Sequence, residues 1–235
     1  MMIRIGNFLF RFRNWLFPPV IALVFINGPS AMANETLAVT LGFAIAIVGQ
    51  VLRAITIGLA YIKRGGKNRQ VYAKTLVQDG MFAHCRNPLY LGNLLMLLGL
   101  GLLANAWWFL VVGMPFFVFA YIAIVTAEEN FLRSKFGAEF DDYCRRVPRF
   151  VPNLAGIGKT WRGMEFKWRR LIVKEHGSTY AWTLAAIAAL IEYHWIKTHS
   201  LFQPEIYVLM AALAMVTLGY ATVRYLKKNR RLVAD

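Results

Sequence analysis

Residues 88–126, PLYLGNLLMLLGLGLLANAWWFLVVGMPFFVFAYIAIVT, contain no Asp, Glu, Lys, Arg or His. As one helix this run would be about 60 Å long at about 1.5 Å per residue, twice the roughly 30 Å of a bilayer's hydrocarbon core. The chain must therefore turn back within it. The break falls at Ala104-Asn105-Ala106, followed by Trp107 and Trp108, whose rings suit a membrane interface. An apolar helical hairpin of this kind belongs in a bilayer, and it sets the fold class as all-α, a polytopic integral membrane protein.

The flanking sequence agrees. Of 235 residues, 58% are apolar and only 17% charged, which excludes a disordered chain and an ordinary soluble domain. Further apolar runs at about 15–27, 37–62, 180–196 and 205–224 bring the expected crossings to six. Arg4, Arg11 and Arg13 precede the first run as in a secretory signal, but Pro18-Pro19 splits its core, so a retained membrane helix is expected.

Lys and Arg number 27 against 12 Asp and Glu, a net charge of +15. Twenty-five of those 27 lie before the first run, within 63–86, within 133–174 and from Arg224 onward. Six crossings put all four segments on one side, which the positive-inside rule makes the cytoplasm. Both termini are expected there, in a bacterial inner membrane. Cys85 and Cys144 lack a paired spacing and read as reduced thiols. The expected division is a four-helix core with a ligand-binding segment at 1–158, then an interfacial helix and a further helix pair at 159–235.

Two segments at helix edges carry the chemistry. One runs from Gly80 through His84-Cys85-Arg86-Asn87-Pro88-Leu89-Tyr90-Leu91-Gly92. The other holds Glu128-Glu129, Phe136-Gly137, Tyr143, Arg145-Arg146 and Val147-Pro148-Arg149-Phe150-Val151-Pro152. In this order and spacing they resemble the isoprenylcysteine carboxyl methyltransferase family and its bacterial and phospholipid-methylating relatives, over about residues 45–152. Met81, Ala83 and Asn87 depart from the commonest family residues. The Gly49 to Arg53 run also resembles that family's pattern in the preceding helix.

The resemblance implies S-adenosylmethionine as cofactor, with its site at the cytoplasmic ends of the central helices. Its candidate contacts are His84, Arg86, Asn87, Pro88, Tyr90, Gly92, Glu128, Glu129, Tyr143, Arg145 and Arg149, while Arg53, Glu129 and Arg146 are the candidate catalytic residues. Their chemistry suits that ligand: a glutamate pairs with its amine, and an arginine fork grips its carboxylate. Pro88 at a first helical position with Asn87 near the N-cap exposes N–H groups that favour an anion. Arg53, deep in a membrane helix, needs an anion, a partner or water, because an uncompensated charge there costs about 2.5–3.5 kcal/mol on insertion scales.

Residues 159–174 set Trp161, Met164, Trp168, Leu171 and Ile172 against Lys159, Arg162, Lys167, Arg169 and Arg170, the pattern of a helix lying on anionic lipid headgroups. Metal-binding, nucleotide-phosphate and nucleic-acid motifs are absent from the sequence. The expected activity is methyl transfer to an acidic group, carboxylate or phosphate, of a lipidic acceptor that arrives from the bilayer. The basic residues flanking the motifs favour an acid over a phospholipid amine. A reductase of the sterol reductase kind using NADPH and a non-enzymatic basic lipid-binding protein are the other readings, and the oligomeric state stays open.

Overall fold

The computed structural model describes residues 1–60, 75–200, 202 and 204–234, without the side chain of Lys197. The end of the expected 37–62 run and five of the basic residues counted in 63–86 lie outside them. Among the described residues there is no strand, only an isolated bridge between Ser30 and Ala106.

Among the described residues eight α-helices follow in order: α1 (Met2–Ile21), α2 (Glu35–Leu59), α3 (Pro88–Leu103), α4 (Met114–Phe136), α5 (Ala138–Arg146), α6 (Ile157–Arg162), α7 (Trp168–Thr198) and α8 (Pro204–Lys228). The segments Met2–Phe25, Glu35–Leu59, Phe109–Phe136 and Pro204–Lys228 are long and apolar enough to cross a membrane. α3 is apolar but has 16 residues. α7 is long, yet Lys174, Glu175 and Glu192 interrupt its apolar character. The protein is thus an all-α integral membrane protein, and among the described residues four helices meet the full length and composition of a span.

The hairpin closes where its sequence breaks. Asn105 takes a left-handed φ of 50°, and its side chain accepts from the Met32 amide at 2.8 Å and donates to the Met32 carbonyl at 3.0 Å. A π-helical turn at Phe109–Gly113 leads into α4. Pro115 follows at once; a wider turn spares its ring the clash with the carbonyl four residues back.

Small residues fix the pairing of α2 with α3. A Cβ on Gly49 would lie 2.7 Å from the Gly92 carbonyl oxygen, and one on Gly99 would lie 2.5 Å from that of Gly42. Only glycine lets the two backbones approach so closely, which is how helices associate where lipid offers no hydrophobic drive. α1 docks on α4 in the same way through Gly6, opposite Ala123.

Two expectations on helix bounds are corrected. The first helix begins at Met2, not near 15, because Gly6 and Leu9 bury against α4. Residues 159–174 do not form one interfacial helix: α6 stops at Arg162 and α7 starts at Trp168. Phe166 packs on Gly58 and the Lys167 amide donates to the Gly58 carbonyl at 3.0 Å, so the end of α2 holds the break open. Trp161 and Trp168 remain exposed on either side of it.

Candidate active site

One cavity of about 890 Å³ runs along the bundle. Its wall extends from Asn87, just before α3, to Leu100, about 20 Å of helix, and on α4 from Phe117 to Leu132, about 22 Å. Where α3 begins and α4 ends it is lined by Arg86, Tyr90, Glu128 and Glu129, with Phe82, Phe140 and Tyr143 beside them. Deeper in, its walls are Leu97, Leu100, Phe117 and, from α1, Phe17 and Ile21. A charged chamber thus continues into an apolar one.

At the charged end, carboxylates and guanidinium groups alternate. Glu129 is shared: Arg86 Nη1 donates to its Oε1 at 2.9 Å, and Arg149 Nη2 lies 3.1 Å from its Oε2. Glu128 is buried and accepts from the Tyr90 hydroxyl at 2.7 Å. The Nε atoms of Arg86 and Arg149 are buried with no hydrogen-bond partner among the described residues. Donors shut away from water in this fashion are costly to leave unmet, so they call for an acceptor from outside the chain.

The backbone around this end is clamped by the chain's second motif. The Arg86 amide donates to the Pro148 carbonyl at 2.9 Å, and the Asn153 amide to the His84 carbonyl at 2.9 Å. Cys85 is fully buried with its thiol directed at the Arg149 and Phe150 carbonyls. Burial pushes the Cys85 thiol up from its ordinary pKa, and burial does the same to Cys144 despite the neighbouring Arg86. Both are neutral thiols at pH 7, unsuited to act as nucleophiles.

Arg53 is buried on α2 and lines the cavity midway. Its counter-ion is Glu175 of α7, only 2% exposed. Arg53 Nε and Nη2 donate to the two Glu175 oxygens at 2.6 and 2.8 Å, a bidentate pair. Nη1 donates to Asn93 Oδ1 at 2.5 Å, and Nη2 to Ser178 Oγ at 3.1 Å. Gln50 donates to Glu175 at 3.3 Å and accepts from Trp182 Nε1 at 2.8 Å, completing the network.

Of the residues expected at the site, Arg53, Arg86, Asn87, Tyr90, Glu128, Glu129 and Tyr143 come together on the cavity wall. Arg149 stands behind Glu129. Three have other tasks: both ring nitrogens of His84 are engaged by Asn153 and Thr160, Pro88 opens α3, and Gly92 admits Arg53 and the α2 backbone. Asn87 does not cap α3 with its side chain, which instead donates to the Arg149 carbonyl at 3.1 Å. Arg145 and Arg146 lie off the cavity on the exposed face of α5, paired with Asp142 and Gln78. Arg146, expected among the catalytic residues, is therefore not on the cavity wall.

Sequence reading missed Asn93, Glu175, Ser178 and Trp182, and also Arg13 and Lys174 on the cavity wall. The one signal for Glu175 was Arg53 itself, which demanded an anion from some other helix. Among the described residues, no group of three or more His, Cys, Asp or Glu is placed to hold a metal ion.

Fold and site together define an integral membrane protein with a large cavity that joins a charged end to an apolar depth. Residues 36–139 match the family described as phospholipid methyltransferase, so the resemblance to membrane methyltransferases holds for that segment. Two curated relatives are the cobalt-zinc-cadmium resistance protein CzcN of Cupriavidus metallidurans, 38% identical over 115 residues, and the nickel-cobalt-cadmium resistance protein NccN of Alcaligenes xylosoxydans xylosoxydans, 33% identical over 115 residues. Each alignment covers 49% of this chain and 48% of the relative, so the chain matches about half the length of either. No solved structure matches it.

Proposed function

We propose that the protein transfers the methyl group of S-adenosylmethionine to the headgroup of a membrane lipid, at the cytoplasmic face of a bacterial inner membrane. The observation that carries this reading is the continuity of the cavity: a water-soluble, zwitterionic donor suits the Arg86, Glu128 and Glu129 end, and acyl chains suit the Leu97, Leu100 and Phe117 depth. The residues fit the cofactor. Buried Nε of Arg86 is a donor for its carboxylate, Glu128 is an acceptor for its amine, and the Phe82, Phe140 and Tyr143 rings offer the adenine an apolar slot. When bound, it supplies an electrophilic methyl on a sulfonium. The chain's own part is to position the two reactants and keep water out.

The expectation of an acidic acceptor leaned on Arg86, Arg133, Arg145, Arg146 and Arg149. Of these only Arg86 lines the cavity, and it is paired with Glu129; Arg133 is paired with Asp141 on the surface. An acid, carboxylate or phosphate, would depend instead on Arg13 and Lys174. A headgroup amine is the second reading, favoured by Glu128 and Glu129 at the transfer end. An amine must shed a proton before it attacks, and a carboxylate at that end would take it up.

Calorimetry on the detergent-solubilised protein with S-adenosylmethionine and with its demethylated product tests the cofactor, and absence of saturable heat from both would refute the reading. Incubating membranes with deuteromethyl-labelled donor, followed by lipid mass spectrometry, identifies the acceptor.

A further inference from the structure

Four helical residues both line the cavity and are exposed: Asn14 and Pro18 of α1, and Lys174 and Ala181 of α7. α1 packs on α4, whereas α7 packs on α2, α3 and α8 and meets the first helix at its continuation, Ala22–Phe25. The cavity therefore opens sideways between α1 and α7, in addition to its end at exposed Thr75. A lateral mouth between membrane helices admits molecules from the bilayer.

Just inside this mouth lies a second polar tier, one helical turn below Tyr90 on α3. Arg53 donates to Asn93 there, and the Tyr121 hydroxyl sits by Asn93 within electrostatic reach of both Arg53 and Arg13. The two arginines differ in one respect. The charge of Arg53 is cancelled by its bidentate pair with Glu175. Arg13 makes no hydrogen bond or ion pair among the described residues, and its guanidinium rests over the Phe10 ring, 4.4 Å from the centroid. A cation without a counter-charge on the wall of a membrane cavity marks a site for an anion from outside the chain.

Resting on the reading of this cavity as the acceptor's, we infer that Arg13 anchors the acceptor by binding the phosphodiester of a glycerophospholipid that enters between α1 and α7. A phosphodiester fits the spacing of the tiers. Held beside Arg13, Tyr121 and Asn93, it leaves the remainder of the headgroup one helical turn, about 5 Å, to reach Tyr90 and Glu128. A carboxylate would have to be gripped and methylated at the same group, and the grip would draw off the delocalised charge that makes it a nucleophile. Arg13 lies outside the segment that matches the methyltransferase family, so the anchor is a feature of this chain's own first helix.

Native mass spectrometry of the full-length protein tests the anchor, with dioleoylphosphatidylglycerol, farnesylcysteine and dioleoylglycerol as probes. The wild type should retain the phosphodiester lipid about tenfold or more over the uncharged one, the size expected of a charge-assisted hydrogen bond. Arg13→Gln should abolish that preference, Arg13→Lys should keep part of it, and Arg224→Gln on α8 should leave it intact. A preference that persists in Arg13→Gln, or a preference for farnesylcysteine, overturns the proposal. Calorimetry with S-adenosylhomocysteine separates the two claims: no binding by the wild type sinks the methyltransferase reading while the lipid result stands by itself. Loss of that binding in Arg13→Gln alone would move Arg13 to the cofactor end and likewise overturn the anchor.

Discussion

Arg53 and Glu175 lie 122 positions apart in the chain and form one buried ion pair. Removing one partner of such a pair leaves the other as an unpaid charge, at a cost of about 3–5 kcal/mol, whereas replacing both with apolar groups is often neutral. Glu175→Ala should therefore lower the thermal midpoint of the purified protein sharply, and Arg53→Met with Glu175→Leu should restore it without restoring methyl transfer. A double variant as unstable as the single one would mean that the neighbouring hydrogen bonds of Asn93 and Ser178 matter more than the charge. At the charged end, Glu129→Gln should weaken cofactor binding by roughly 10 to 150-fold, because it breaks two charge-assisted contacts with Arg86 and Arg149. Titration calorimetry reads this directly, and wild-type affinity would remove Glu129 from the site. Cys85 gives a pH prediction: the fold favours its neutral thiol, so that stabilisation is complete below the free-thiol pKa and is lost as pH rises through the raised value. Maleimide labelling of Cys85 should stay slow near neutral pH and become rapid only on denaturation.

Among the elements, the α3–α4 hairpin was legible because two crossings without a charge admit no other arrangement, and Asn105 marked its turn. The paired glycines of α2 and α3 hold the hairpin to the rest. Gly99→Val would drive a branched side chain into the Gly42 carbonyl and the Ala46 backbone, overpacking that typically costs about 1–3 kcal/mol. A measured loss of thermal stability in Gly99→Val, with none in Gly219→Val on α8, where a Cβ meets nothing within 4 Å, checks this. The break between α6 and α7 was not legible: the apolar and basic residues of 159–174 keep helical spacing throughout, and only docking of Phe166 on Gly58 interrupts it. In α5 the opposite holds. Phe140, Tyr143 and Val147 recur at helical spacing and are buried, which already turned Arg145 and Arg146 outward, yet their nearness in sequence to the motif drew them into the expected site.

For the whole molecule, the charged end of the cavity, α6 and the last turn of α8 lie at one end of the bundle. Thr160 of α6 is hydrogen-bonded to His84 at 2.8 Å, and Lys227 of α8 reaches the Val173 carbonyl near the start of α7 at 3.4 Å. The α1–α2 connection is at the other end, tied to the hairpin turn through Met32 and Asn105. That separation makes orientation testable with single introduced thiols against a low background, since Cys85 is buried and Cys144 half-buried, with both held neutral. A basic end on the cytoplasmic side predicts that Ala33→Cys is labelled by an impermeant maleimide in intact cells, while Lys159→Cys and Asn229→Cys are labelled only after permeabilisation. The site needs this orientation for a physical reason: a donor as polar as the proposed cofactor reaches the Arg86 and Glu129 end through water, whereas a lipid acceptor reaches the Arg13 tier through the bilayer. Labelling of Lys159→Cys from outside would place the charged end away from any cytosolic methyl donor, and the two-sided supply of reactants on which the proposed reaction depends would fail with it.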